Sequence, residues 1–169
     1  FNPVDVADAV RARPERPTLI INHPRQFGSG LLSGGMGAYF VAAEYDPTTG
    51  TVGRPEYWDE EFALVEVFNG SSYAENADAS VLDWLSLLSS GRHVFAVGSS
   101  DSHGVARDPI GYPRTYLQVG TDDPSALTAN WVRDRANSGA MVVSGGIFIT
   151  VAEETAGAGP GESATGVGD

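Results

Sequence analysis

The chain has 169 residues, with 22 acidic and 10 basic side chains for a formal charge of −12, and it is 41% hydrophobic and 19% charged. That is the size of one domain, able to remove roughly 69% of its unfolded-chain surface from water, and the composition belongs neither to disordered chains nor to spans of about 18 apolar residues. All ten basic residues are arginine and none is cysteine, which excludes Walker loops, lysine Schiff bases, disulfides, thiolate metal sites and cysteine nucleophiles. No basic stripe offers itself to a nucleic-acid backbone.

In chain order, Val4–Arg13 has a helical apolar stripe stopped by Pro14 and Pro17. Thr18–Asn22 is a continuous apolar run ending in His23-Pro24, the pattern of a strand buried on both faces. The glycines and serines of Gly28–Gly37 predict a loop, running into a helix over Met36–Tyr45 and a turn at Asp46–Gly50. Ala63–Phe68 is a second strand, interrupted by Glu66 and closed by Asn69-Gly70. Ala77–Ser90 predicts a helix with Val81, Leu82, Leu85 and Leu88 on its apolar side and Gly91 as its stop.

His93–Val97 is a third strand leading into Gly98-Ser99-Ser100-Asp101-Ser102-His103, and Thr115–Val119 is a fourth. Asp123-Pro124-Ser125 opens a helix whose apolar side is Leu127, Trp131 and Val132, ended by Gly139. Met141–Val143 and Ile147–Val151 read as further strands, and the chain from Ala156 onward as a fraying tail. The start at Phe1, without a methionine or an apolar leader, is the expectation for a processed chain or a fragment.

Strands alternating with helices predict an α/β fold with a mainly parallel sheet. Such folds gather ligands at the carboxyl ends of the strands. His23 closes the first strand, Glu66 and Asn69 the second, and Asp101 and His103 the third. On an extended backbone Asp101 and His103 face the same way about 6.6 Å apart, a separation that a metal ion can bridge, and His23 offers a third ligand. The alternative is local. His23 then serves as a hydrogen-bonded loop residue, and Asp101-Ser102-His103-Gly104 forms a turn in which Asp101 bonds backbone amides. His93 stands at the far end of its strand and reads as structural.

Other patterns carry less. Gly28-Ser29-Gly30-Leu31-Leu32-Ser33 departs from the dinucleotide fingerprint at Ser33, and Gly98–Ser102 lacks the second glycine of a nucleophile elbow. Asp59-Glu60-Glu61 reads as a solvated turn or helix start, and Trp58, Trp84 and Trp131 as packing residues.

The ordered set Ile21-Asn22-His23-Pro24, Glu66-Val67-Phe68-Asn69-Gly70, Trp84–Leu88 with Gly91, Gly98–His103 and Gly111-Tyr112-Pro113-Arg114-Thr115-Tyr116 resembles the second half of a PHP-type metallohydrolase. This is the polymerase and histidinol phosphatase superfamily, and the likeness is to its carbaryl-hydrolase-like branch, over most of residues 18–150. The resemblance implies the second half of a distorted seven-stranded β/α barrel with mainly parallel strands over residues 1–140, followed by a β segment and flexible tail over 141–169. It implies divalent metal ions, zinc, manganese or iron, at the strand ends, with His23, Asp101 and His103 as ligands.

By the same resemblance Glu66 and Asn69 orient water or substrate, and Arg114 either contacts an anion or pairs structurally. Arg25, beside His23, is a weaker candidate. The implied function is hydrolysis of a phosphoester, ester or carbamate in a small-molecule substrate by metal-activated water. The His-x-His motif that opens the family is absent from the chain. A missing N-terminal half or a partner chain is therefore expected to supply further ligands, and the uncovered strand edge invites such a partner or a homodimer. No nucleic-acid or membrane partner is expected. The alternative is a non-catalytic interaction module that retains a partial barrel.

Overall fold

The computed structural model describes residues 2–25, 38–70, 72–106, 108–154 and 156–164. Helix α1 (Pro3–Arg11) starts where the Asn2 side chain accepts a hydrogen bond from the Val4 amide, with proline in its first turn and Arg11 in its last. Strand β1 (Ile20–Ile21) is followed by α2 (Tyr39–Ala42), then by an antiparallel pair, β2 (Tyr45–Asp46) and β3 (Thr51–Val52). Strand β4 (Leu64–Asn69) leads into α3 (Tyr73–Ala77) and α4 (Ser80–Ser89), and then β5 (Phe95–Ser99). After β6 (Arg114–Leu117) come α5 (Ala129–Asn137), capped by Thr128, and β7 (Met141–Ser144).

The fold is α/β, built on a three-stranded parallel sheet in the order β1–β4–β5. β4 is the middle strand and all six of its residues are buried. The expectation that the first strand is buried on both faces fails: only Ile20 and Ile21 are in ladder, and Ile20 is 41% exposed. β1 lies at the edge of the sheet, and among the described residues no strand pairs with its outer side.

Tyr39, Phe40, Tyr45, Trp58 and Phe62 form the aromatic end of the core, joined by Val65, Val67, Leu87 and Val94. Trp58 is sandwiched between Tyr39 and Tyr45, at centroid separations of 5.6 and 5.1 Å. Asp59, expected in a solvated turn, is instead buried and paired with Arg11 at 2.9 Å, because a carboxylate beneath the Trp58 cluster requires a cation. Burial pushes the Tyr39 phenol, which accepts the Asp59 amide hydrogen, up to about 12.

Two helices present less apolar surface to the core than their periodicity suggests. On α4 the buried positions are Ser80, Asp83 and Leu87, while Leu82, Leu85 and Leu88 are exposed. Leu127, which precedes α5, and Trp131 and Val132 on it are exposed, so Trp131 is not a core packing residue; its indole donates to the Val119 carbonyl at 3.1 Å. Trp84 is partly buried and donates to the Val94 carbonyl at 2.7 Å.

β6 joins β5 through a side chain. The Thr115 hydroxyl lies 2.9 Å from both the Gly98 amide, from which it accepts, and the Gly98 carbonyl, to which it donates. β7 pairs antiparallel with β6, from Arg114 opposite Ser144 to Leu117 opposite Met141. Ile147–Val151, expected as a strand, lies in none. The helix expected over Met36–Tyr45 is the single turn of α2, and the glycine-rich loop of residues 28–37 lies outside the described residues.

Gly139, which ends α5, has φ +74°, and a Cβ there would fall 2.3 Å from the Phe95 ring. Gly139→Ala is therefore expected to cost about 2 kcal/mol, from left-handed strain plus displacement of the ring. A urea titration monitored by Trp fluorescence measures this, and a variant as stable as wild type refutes the assignment.

Candidate functional site

The carboxyl ends of β1, β4 and β5 are tied together by one side chain. Glu66, 2% exposed, accepts the His23 amide hydrogen on Oε2 at 2.5 Å and the Asn69 Nδ2 hydrogen on the same oxygen at 3.1 Å, while Oε1 accepts the Ser99 hydroxyl. A carboxylate at the middle of an apolar strand is thus satisfied by three donors, one from each strand end.

Residues 66 and 69 lie three apart and on a regular strand would face opposite sides. The ladder between β4 and β5 slips one residue between Glu66, opposite Val97, and Phe68, opposite Gly98. That bulge returns Asn69 to the side of Glu66 and makes their hydrogen bond possible. Asn76 of α3 then clamps Asn69: its Oδ1 accepts the Asn69 amide hydrogen at 3.0 Å and its Nδ2 donates to the Asn69 carbonyl at 2.9 Å. The Asn69 Oδ1 is buried without a hydrogen-bond partner.

His23 and Asp101 hold φ values of +31° and +46°. Non-glycine residues in this region carry about 1 kcal/mol of strain each and concentrate where a chain is bent to a task. Asp101 and His103 are not on an extended strand, since β5 ends at Ser99, so strand alternation is not what brings them together. A compact loop does so. The His103 Nδ1 lies 2.6 Å from the Asp101 carbonyl oxygen and 3.8 Å from its carboxylate, and the His103 amide donates to Asp108 Oδ2 at 3.2 Å.

His23 and Asn69 line a cleft of about 590 Å³, together with Arg25, Asn76 and Ser80. Arg25 is committed elsewhere: its Nε donates to Asp83 Oδ2 at 2.6 Å and its Nη2 to the Tyr45 carbonyl. Arg114 starts β6, next to the Thr115 that bridges to Gly98; it is exposed, its guanidinium 5.8 Å from the Tyr116 ring centroid, and it forms no ion pair among the described residues.

Comparison with protein-family models, with curated proteins and with solved structures finds no match.

The site residues read from the sequence therefore fall into two groups. Glu66, Asn69 and the His23 backbone form one network; Asp101 and His103 form another on the β5 loop. Among the described residues no three His, Asp or Glu side chains gather closely enough to hold one metal ion. Sequence reading missed Ser99 and Asn76. Ser99 lies within the Gly98–His103 motif, which by itself gives it no role, whereas its hydroxyl faces a carboxylate that arrives from the neighbouring strand. No helix is long and apolar enough to cross a membrane among the described residues.

Proposed function

We propose that the chain is part of a metal-dependent hydrolase built on a PHP-type half-barrel, with His23, Asp101 and His103 as metal ligands. The observation that supports this most is the state of His103. A carbonyl oxygen can only accept, so the contact with the Asp101 carbonyl places the proton on Nδ1 and leaves Nε2 with a free lone pair in the neutral ring. That is how metal-binding imidazoles are held.

An aspartate and two imidazoles suit a zinc, manganese or iron ion. When bound, such an ion supplies Lewis acidity toward a phosphoester, ester or carbamate and lowers the pKa of water. In this reading Glu66 has a positioning role. Its hydrogen bonds to the His23 amide, Asn69 and Ser99 hold the ends of β1 and β5 in register. The remaining donors come from a further chain segment or a partner, and the open edge of β1 is where a strand carrying them adds.

Titration of zinc into the purified chain tests the ligand set. His103→Ala and Asp101→Asn are each expected to weaken binding by roughly tenfold or more. Unchanged zinc affinity in both variants overturns the assignment. A second reading, a binding module without catalysis, is favoured by the finding that among the described residues no three His, Asp or Glu side chains lie close enough to hold one metal ion. It predicts that zinc affinity is absent in the wild type as well.

A further inference from the structure

Residues 147–151, Ile-Phe-Ile-Thr-Val, are all β-branched or aromatic, the residue types that strands favour. They nevertheless join no strand ladder among the described residues, although the Phe148 ring packs edge-on against Tyr116 of β6 at a centroid separation of 5.0 Å. None of their backbone N–H groups finds a hydrogen-bond partner among the described residues, and their large apolar side chains are 46 to 76% exposed. Gly145 and Gly146, the latter at φ +130°, detach the segment from β7, and Ser144 fastens its start by donating its hydroxyl to the Ile147 carbonyl. A run of strand-favouring residues with open donors is a template for pairing with another chain.

We propose that this segment pairs antiparallel with the same segment of a second copy of the chain, about a two-fold axis at Ile149. Sequence and charge select that occupant and that direction. In this register Ile147 lies opposite Val151, Ile149 opposite Ile149, and Phe148 opposite Thr150. One face therefore carries only β-branched apolar pairs and the other two aromatic to β-branched pairs, the combinations that stabilise ladders.

Glu153 and Glu154 follow the five paired residues and so lie at opposite ends of the ladder in the two copies, away from one another. A parallel in-register pairing would set Glu153 beside Glu153 and Glu154 beside Glu154, where like charges repel. The segment itself is free of charge on a chain of −12. A copy of the same chain can therefore approach here without opposing carboxylates. Five residues a side is a small interface, so the dimer is weak and concentration-dependent. The proposal is independent of the hydrolase reading.

The chain has no cysteine, so a single introduced one reports the register without background. Ile149→Cys sits on the two-fold axis, within disulfide reach of its own copy, whereas Ile147→Cys is displaced from its copy by about 14 Å along the ladder. Under mild oxidation Cys at 149 is expected to give at least roughly tenfold more disulfide-linked dimer than Cys at 147, with both reduced variants matching the wild-type far-UV circular dichroism.

Sedimentation of the unmodified chain provides the second measurement. Because two copies of charge −12 repel, dimer fraction is expected to rise as salt screens them, and Ile149→Asp to abolish it. Equal cross-linking at 147 and 149 overturns the register. A monomer at all concentrations and salts, or a dimer that Ile149→Asp leaves intact while Leu85→Asp on the exposed leucine side of α4 dissolves it, overturns the proposal.

Discussion

Glu66→Ala is expected to lower the stability of the folded chain by about 4 kcal/mol, the largest effect of any single substitution argued for this protein. The truncation leaves the His23 amide, the Asn69 side-chain amide and the Ser99 hydroxyl without their acceptor at once. The first two lose it in a site that water reaches poorly, since Glu66 and Asn69 are buried. Glu66→Gln keeps the volume and one accepting oxygen but turns an NH₂ group toward one of the donors, and about half the loss is expected.

Guanidinium titration of the three proteins gives the ordering. If Glu66→Ala is as stable as wild type, Glu66 does not join the three strands. A readout specific to the network is the Ser99→Ala, Glu66→Gln double-mutant cycle, in which the two changes are expected to be non-additive because they remove the same hydrogen bond.

Asp83→Ala is expected to cost about 3 kcal/mol at neutral pH, because it strips the carboxylate from a guanidinium that is itself mostly buried. Asp83 is 0% exposed, its Oδ2 bonded to Arg25 at 2.6 Å and its Oδ1 without a partner. Burial raises its pKa above the ordinary aspartate value, and the Arg25 charge and hydrogen bond offset only part of that.

The sign of the pH dependence follows from this. A carboxyl whose pKa is higher in the folded than in the unfolded chain binds its proton more tightly when folded. Its contribution is complete below the unfolded value near 3.8 and is lost as pH rises through the raised folded value. Asp83→Asn removes that titration. The stability of wild type relative to Asp83→Asn is expected to fall as pH is raised through the weakly acidic range, and a difference that is flat with pH refutes the shift.

The legible parts of the fold were those set by local pattern. The apolar run of β4 and the glycines that stop α4 and α5 are properties of neighbouring residues, whereas Asp123-Pro124-Ser125, read as the start of the last helix, forms a separate 3-10 turn and α5 begins only at Ala129. The two leucine- and tryptophan-bearing helix faces were misread because a 3.6-residue period marks a face without saying what covers it. On α4 the buried face carries Asp83, paired with Arg25, and Leu87, while Leu82, Leu85 and Leu88 remain outside.

At the site, His23, Glu66, Asn69, Asp101 and His103 could be recognised by residue type and by their place at strand ends. Their connections could not. The bulge that brings Asn69 to Glu66 depends on the register of β4 against β5, thirty residues further along the chain. The pairing of Ser99 with Glu66, and of Asp59 with Arg11, likewise joins residues far apart in the chain.

Composition and local pattern thus specified an acidic α/β chain with polar groups at the carboxyl ends of its strands, since charge, periodicity and capping act over a few residues. Which of those groups hold one another, and which strand is left with an open edge, followed from packing. Register and burial arise from contacts between segments distant in sequence, and no local pattern carries them.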